Sequence, residues 1–167
     1  MSRARTILTG ALLAGGAALC GGGAASAAPP LPRCHTSGLS ASLGRIDAGA
    51  GQRFVRLTLR NRSGHTCRTQ GWIGMRLRRN GANVRTNVVR AQGPTHRVVL
   101  HAGDRAITTL HWTVIPAPSE PQSGACEPNP RHALITPPDE KTSLRIRWPG
   151  GPVCQLGRID VTPLRHR

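Results

Sequence analysis

Two short clusters, Cys34-His35 and His65-Thr66-Cys67, bring together residue types that could do chemistry. Two thiolates and two imidazoles would suit tetrahedral zinc, whereas the same two sulfurs in oxidised form make a structural crosslink with nothing left to donate. Neighbouring Cys and His side chains are awkward to aim at one ion, and the cysteines downstream of residue 27 form an even set: Cys34, Cys67, Cys126 and Cys154. The expectation is therefore two disulfides and no metal or other cofactor. Three connectivities are open for four cysteines. The sequential one, Cys34 with Cys67 and Cys126 with Cys154, would close two loops of roughly 30 residues, each bond stabilising the fold by roughly 3–4 kcal/mol in the chain-entropy picture.

Arginine offers the second kind of chemistry. Arg56, Arg60, Arg76, Arg78, Arg145 and Arg147 stand at alternate positions of apolar segments. If they shared the outer face of one sheet they would form a strip of guanidinium forks, which bind phosphate or sulfate bidentately. The plainer reading is a solvated basic face enlarged by base composition, since Lys141 is the single lysine in an Ala-, Gly- and Pro-rich chain. Catalytic patterns are missing: there is no HExxH, no Gly-x-Ser-x-Gly, no phosphate loop and no close carboxylate pair in a suitable context. Asp139-Glu140, beside Lys141, reads as solvated charge. No enzymatic activity is expected.

The N-terminus has the grammar of a secretory signal peptide: Arg3 and Arg5, a Gly/Ala-rich apolar run from Ile7 to about Leu19, and the small-residue site Ala25-Ser26-Ala27. Cys20 lacks the preceding residues that lipid attachment requires, because Leu19 and Ala17 stand in reversed order. The expected mature chain runs from 28 to 167 as one domain with no transmembrane segment. Removing the two leader arginines from the formal charge of +16 leaves +14. The expected location is secreted or cell-envelope associated.

These residues must be carried by strands. In Phe54-Val55-Arg56-Leu57-Thr58-Leu59-Arg60, Val55, Leu57 and Leu59 point one way and the arginines the other. The pattern repeats in Ile73, Met75 and Leu77 and in Leu144, Ile146 and Trp148. Further strands are expected at 39–46, 84–90, 97–101, 106–114, 132–136 and 158–162, with turns at Asn61–Gly64, Asn80-Gly81, Ala102–Asp104 and Pro149–Pro152. Pro116–Pro130 holds five prolines and reads as a long surface loop tied down by Cys126. The predicted fold is all-β, an immunoglobulin-like antiparallel β-sandwich of about eight or nine short strands with two disulfides.

The order Asn61-x-Ser63-Gly64-x-Thr66-Cys67, Gly71-Trp72-Ile73-Gly74, Leu100-x-x-Gly103-x-x-Ala106 with Trp112, Cys126, Pro137-Pro138, Cys154 and Val161-x-Pro163-Leu164 resembles the secreted actinobacterial family called domain of unknown function 4232. The resemblance spans about Pro32 to Leu164. It implies an exported, often membrane-tethered β-sandwich with two disulfides and no assigned activity. Ile73 stands where that family commonly has proline, and many members are less basic. The functional expectation is a non-catalytic binding or structural module at the cell envelope. The alternative is a protein that grips a polyanion, such as an anionic envelope polymer, with its arginine face.

Overall fold

A computed structural model describes residues 30–167; the expected signal peptide, 1–27, and Cys20 lie outside the described residues. Twelve strands follow in chain order: β1 (Leu39–Gly49), β2 (Gln52–Asn61), β3 (Cys67–Thr69), β4 (Gly74–Arg79), β5 (Ala82–Val84), β6 (Asn87–Arg90), β7 (Val98–Leu100), β8 (Arg105–Thr113), β9 (His132–Thr136), β10 (Leu144–Arg147), β11 (Arg158–Val161) and β12 (Arg165–His166). The first sheet has the order β1-β2-β8-β11-β6, with β12 also on β8; the second is β10-β9-β4-β5; β3 and β7 form a separate pair. The expected all-β sandwich with two disulfides is present, with twelve strands rather than the eight or nine expected. One pair departs from the antiparallel rule, since β6 runs parallel to β11.

The core lies where the inward residues of the two sheets meet. Val55, Leu57 and Leu59 of β2, Leu110 and Trp112 of β8, and Ile159 and Val161 of β11 face Met75 and Leu77 of β4 and Ala133 and Ile135 of β9. The expected 84–90 strand divides because the chain crosses between the sheets at Arg85-Thr86. Thr86 Oγ1 donates to the Val84 carbonyl at 2.8 Å and accepts the Leu77 N–H at 3.0 Å, satisfying backbone groups at the break. The Asn80-Gly81 turn joins β4 to β5 with φ of 48° and 83°, the positive values a two-residue hairpin needs. A second turn of that hand, Ala50-Gly51, joins β1 to β2 without an Asn-Gly signal in the sequence.

Trp112 and Trp148 are the largest aromatic pair of the core, with ring centroids 4.8 Å apart and planes at 47°. Their packing fixes the Pro149–Pro152 turn: Trp148 Nε1 donates to the Gly151 carbonyl at 3.0 Å, and Gly150 lies flat against both indoles. A Cβ at Gly150 would come within 2.6 Å of Trp112 and 2.7 Å of Trp148. Gly150→Ala is expected to destabilise by about 1–3 kcal/mol through overpacking. Gly64→Ala, whose Cβ would meet nothing within 4 Å, should stay within about 0.5 kcal/mol of wild type. Urea midpoints of the two variants measure the difference.

Candidate functional site

Each disulfide closes a local irregularity. Cys34 and Cys67 are bonded, as are Cys126 and Cys154, which is the sequential connectivity. The first bond sits beside a backbone clamp in which the Cys34 N–H donates to the Arg68 carbonyl and the Arg68 N–H to the Pro32 carbonyl, both at 2.9 Å. His35 and His65 line a cleft of about 280 Å³ above it. The His35 imidazole is engaged elsewhere, donating from Nδ1 to Glu140 Oε1 at 3.0 Å. Glu140 is not the solvated charge its neighbours suggested. Its other oxygen accepts the Thr36 N–H at 2.8 Å and the Thr36 hydroxyl at 2.9 Å. The bond from the Thr36 backbone, then that from its hydroxyl, holds the Glu140 carboxyl below the ordinary range against a smaller opposing effect of burial, with His35 adding to the lowering.

The second bond anchors a segment that sequence reasoning missed. Gln155 and Leu156 adopt left-handed backbone angles, φ 56° and 60°, and Gly157 follows at 77°. Gly157 is required there because its Cα lies against the crossing strand, where a Cβ would meet the Arg85 carbonyl oxygen. The exposed N–H groups of this turn are collected by one buried carboxylate: Glu120 accepts from Gln155 N at 2.9 Å, Leu156 N at 2.6 Å and, closing its own loop, Ala117 N at 2.6 Å. Glu120 is 6% exposed. Burial opposes its charge, yet the three backbone donors and the positive charge of Arg85 outweigh that and hold its carboxyl below the ordinary value. The Pro116–Pro130 segment is thus pinned at Glu120 as well as at Cys126. Among the described residues the one group of three potential metal-ligand atoms within 4.8 Å of each other is Glu120, Cys126 and Cys154. Its sulfurs are joined as a disulfide and its carboxylate is saturated by backbone donors, so the group is a structural knot.

The six arginines do not share one sheet. Arg56 and Arg60 lie on the outer face of the first sheet, from β2; Arg76 and Arg78 of β4 and Arg145 and Arg147 of β10 lie on the outer face of the second. On the second sheet the register sets them in two rows across β9: Arg76, Leu134 and Arg145, then Arg78, His132 and Arg147. Arg131, just before β9, joins them. Two adjoining clefts of about 370 and 690 Å³ are both lined by Arg131, His132 and Arg145, the first also by Arg78 and the second by Arg147. Arg145 Nη2 lies 3.2 Å from both ring nitrogens of His132, and Arg78 Nη2 donates to the Gly81 carbonyl, which fixes two of the guanidinium groups in place.

Among the described residues no carboxylate neutralises this face. The ion pairs join Arg33 to Asp139, Arg85 to Glu127 and Arg158 to Asp160, with histidines beside Glu140, Asp160 and Asp104. Among the described residues Arg76, Arg78, Arg131, Arg145 and Arg147 have no carboxylate within 4.0 Å. Arg131 and His132 were not among the expected site residues. Arg131 follows Pro130 at the mouth of a strand, where alternation gives no direction.

Residues 34–165 match the family described as Domain of unknown function (DUF4232). The chain belongs to that family. No curated protein and no solved structure gives a significant match. Membership in DUF4232 carries no assigned chemistry, so the site is read from its geometry. Among the described residues no helix is long and apolar enough to cross a membrane.

These two carboxylates, Glu120 and Glu140, make a pH prediction. A carboxyl whose folded pKa is lowered contributes stability that is present above its unfolded value, about 4.5, and is lost as pH falls through the folded pKa. Wild-type stability is expected to drop across that acid window. Glu120→Gln should be less stable at pH 7, by about 1–3 kcal/mol for each backbone donor it orphans, and flatter in the same window. Urea unfolding at pH 7 and pH 4 measures both.

Proposed function

We propose that this member of the DUF4232 family is an exported, non-catalytic binding module whose second sheet holds an anionic polymer at the cell envelope. Residues 1–27 would direct export and be removed, leaving 28–167 as the working domain. The leader pattern and the two disulfides, bonds that persist in oxidising compartments, support that location.

The observation that carries the reading is the outer face of β10-β9-β4: four arginines, with Arg131 lining the clefts at its end, two of the five held in place, and no carboxylate partner among the described residues. Side chains two apart along a strand are separated by roughly 6.6–6.8 Å. Arg76 with Arg145, and Arg78 with Arg147, therefore form successive pairs along the strand direction, spaced for successive anionic groups of a linear chain. Guanidinium groups stay charged throughout the physiological range and have no proton to exchange, so such a face binds and orients without performing acid–base chemistry.

Salt-dependent retention tests the proposal. On an immobilised linear polyphosphate, Arg78→Ser/Arg145→Ser should elute at clearly lower salt than wild type, with the slope of log K against log salt falling by about one for each contact removed. Arg62→Ser/Arg97→Ser, an equal charge change at exposed residues outside the clefts, should have a much smaller effect. Equal losses in the two double variants would show that only net charge is being measured and would end the proposal.

A further inference from the structure

The outer face of the first sheet has a different chemistry. Phe54 is the chain's single phenylalanine and, among the described residues, one of three large apolar residues left exposed, at 44%. A lone exposed apolar side chain is ordinary by itself. This one is held in a fixed orientation. Its ring stacks on His111, with centroids 4.4 Å apart and planes at 19°. His111 is held in turn: Nε2 donates to Gln52 Oε1 at 2.8 Å, and Nδ1 lies 3.4 Å from the Asp160 carboxylate.

Beside that platform the sheet opens. Between Leu43 and Ile46 the β1–β2 register slips, so that Gly44 and Arg45 together oppose Arg56. Such a bulge kinks the strand and re-aims its side chains. The result is a cleft of about 510 Å³ lined by Phe54, Arg45, Asp47, Arg56, Thr109 and Arg167, among others. Phe54 has Asp47 as its cross-strand neighbour on β1 and His111 on β8, while Arg56 is paired with Thr109. Among the described residues Arg45, Asp47, Arg56 and Arg167 have no salt-bridge partner.

We infer that this cleft is a binding site for an acidic sugar, a uronate unit of an oligosaccharide, with Phe54 as its stacking platform. A pyranose ring presents an apolar face of C–H groups, which suits the electron-rich face of a phenyl ring, and a rim of hydroxyls that need both donors and acceptors. The cleft supplies both: Asp47 accepts, Thr109 can do either, and the three arginines donate. The excess of guanidinium over carboxylate selects a sugar that itself carries a carboxylate, which an arginine fork can take bidentately. Single-stranded nucleic acid fits less well, because such sites use several aromatics for successive bases and this cleft has the one ring of Phe54. The site shares no residue with the cationic face of the second sheet, so either can fail without the other.

Backbone-amide NMR titration with hexagalacturonate, its fully methyl-esterified neutral form, and oligo(dT) tests the inference. Hexagalacturonate is expected to shift the amides of Phe54, Arg56 and Thr109, and the neutral ester to bind at least about tenfold more weakly. Phe54→Ala and Arg56→Gln should each weaken hexagalacturonate binding about tenfold or more, while polyphosphate retention through the second sheet changes little. Phe54→Leu, which keeps apolar bulk without a ring, should lose binding as Phe54→Ala does, and the dispersed amide spectra of the variants report that they are folded. Four results would overturn the inference: no shifts at these amides with hexagalacturonate, undiminished binding by folded Phe54→Ala, tighter binding of oligo(dT) at the same residues, or loss of binding in Arg78→Ser/Arg145→Ser.

Discussion

The pleat of a β-strand sends successive side chains to opposite faces, and this chain has almost no other means of building a core. With one phenylalanine, three tryptophans and no tyrosine, the interior must come from aliphatic residues at every second position. Leu57, Leu59, Leu77, Leu110 and Ile135 are fully or almost fully buried for that reason. Each of them commits its neighbours to the outside. Arg56 stands between Val55 and Leu57, and Arg76 between Met75 and Leu77. Core and candidate site are therefore one constraint seen from two sides. A one-residue slip in β4 would bury Arg76 and Arg78 and expose Met75 and Leu77, so the burial of the aliphatic face is what fixes the arginine rows.

What alternation cannot hold is held by polar ties. Between β8 and β9, and again between β10 and β11, the chain has no ladder to satisfy its backbone. There Glu120 takes three N–H groups, the Cys126–Cys154 bond closes the segment on itself, and Gly150 and Gly157 let backbone approach backbone or indole. Glu140 does the same for the turn at Thr36, next to the Cys34–Cys67 bond. Each disulfide thus has a carboxylate near it whose charge is stabilised by backbone donors. A buried carboxylate is costly unless hydrogen-bonded, and an irregular backbone is costly unless its donors are met. Each need answers the other.

The same division explains what could be read from the chain. Strands β2, β4, β8, β9 and β11 were legible because their periodicity is local, and the Asn80-Gly81 hairpin because both residues favour positive φ. Strands β3 and β12, of three and two residues, are too short to show a period. The break between β5 and β6 carries neither glycine nor proline, and only the partners of Thr86 reveal it. Glu120 sits in a proline-rich stretch, and its burial depends on a left-handed turn at Gln155 and Leu156, residues with no preference for that conformation. Alternation showed that the six arginines face outward. It could not show to which sheet they belong, because that depends on which strands pair across long separations.

The two outer faces that result are chemically unlike, and the difference follows from what pairs with what. On the second sheet β4 and β10 flank β9, whose outward residues are Leu134 and His132, so the arginines meet no acid across the strands. On the first sheet the cross-strand neighbours of β2 include Asp47 and His111, and Asp160 follows on β11, so positive and negative groups alternate around an aromatic ring. A face of uniform charge attracts any polyanion and discriminates mainly by charge spacing, whereas a face of mixed donors and acceptors with a ring at its centre discriminates by shape. On the proposed reading, the uniformly charged face would supply reach and rate of capture, and the mixed face would supply selectivity. A polymer that bears both repeating anions and sugar rings is the kind of ligand for which that combination is suited.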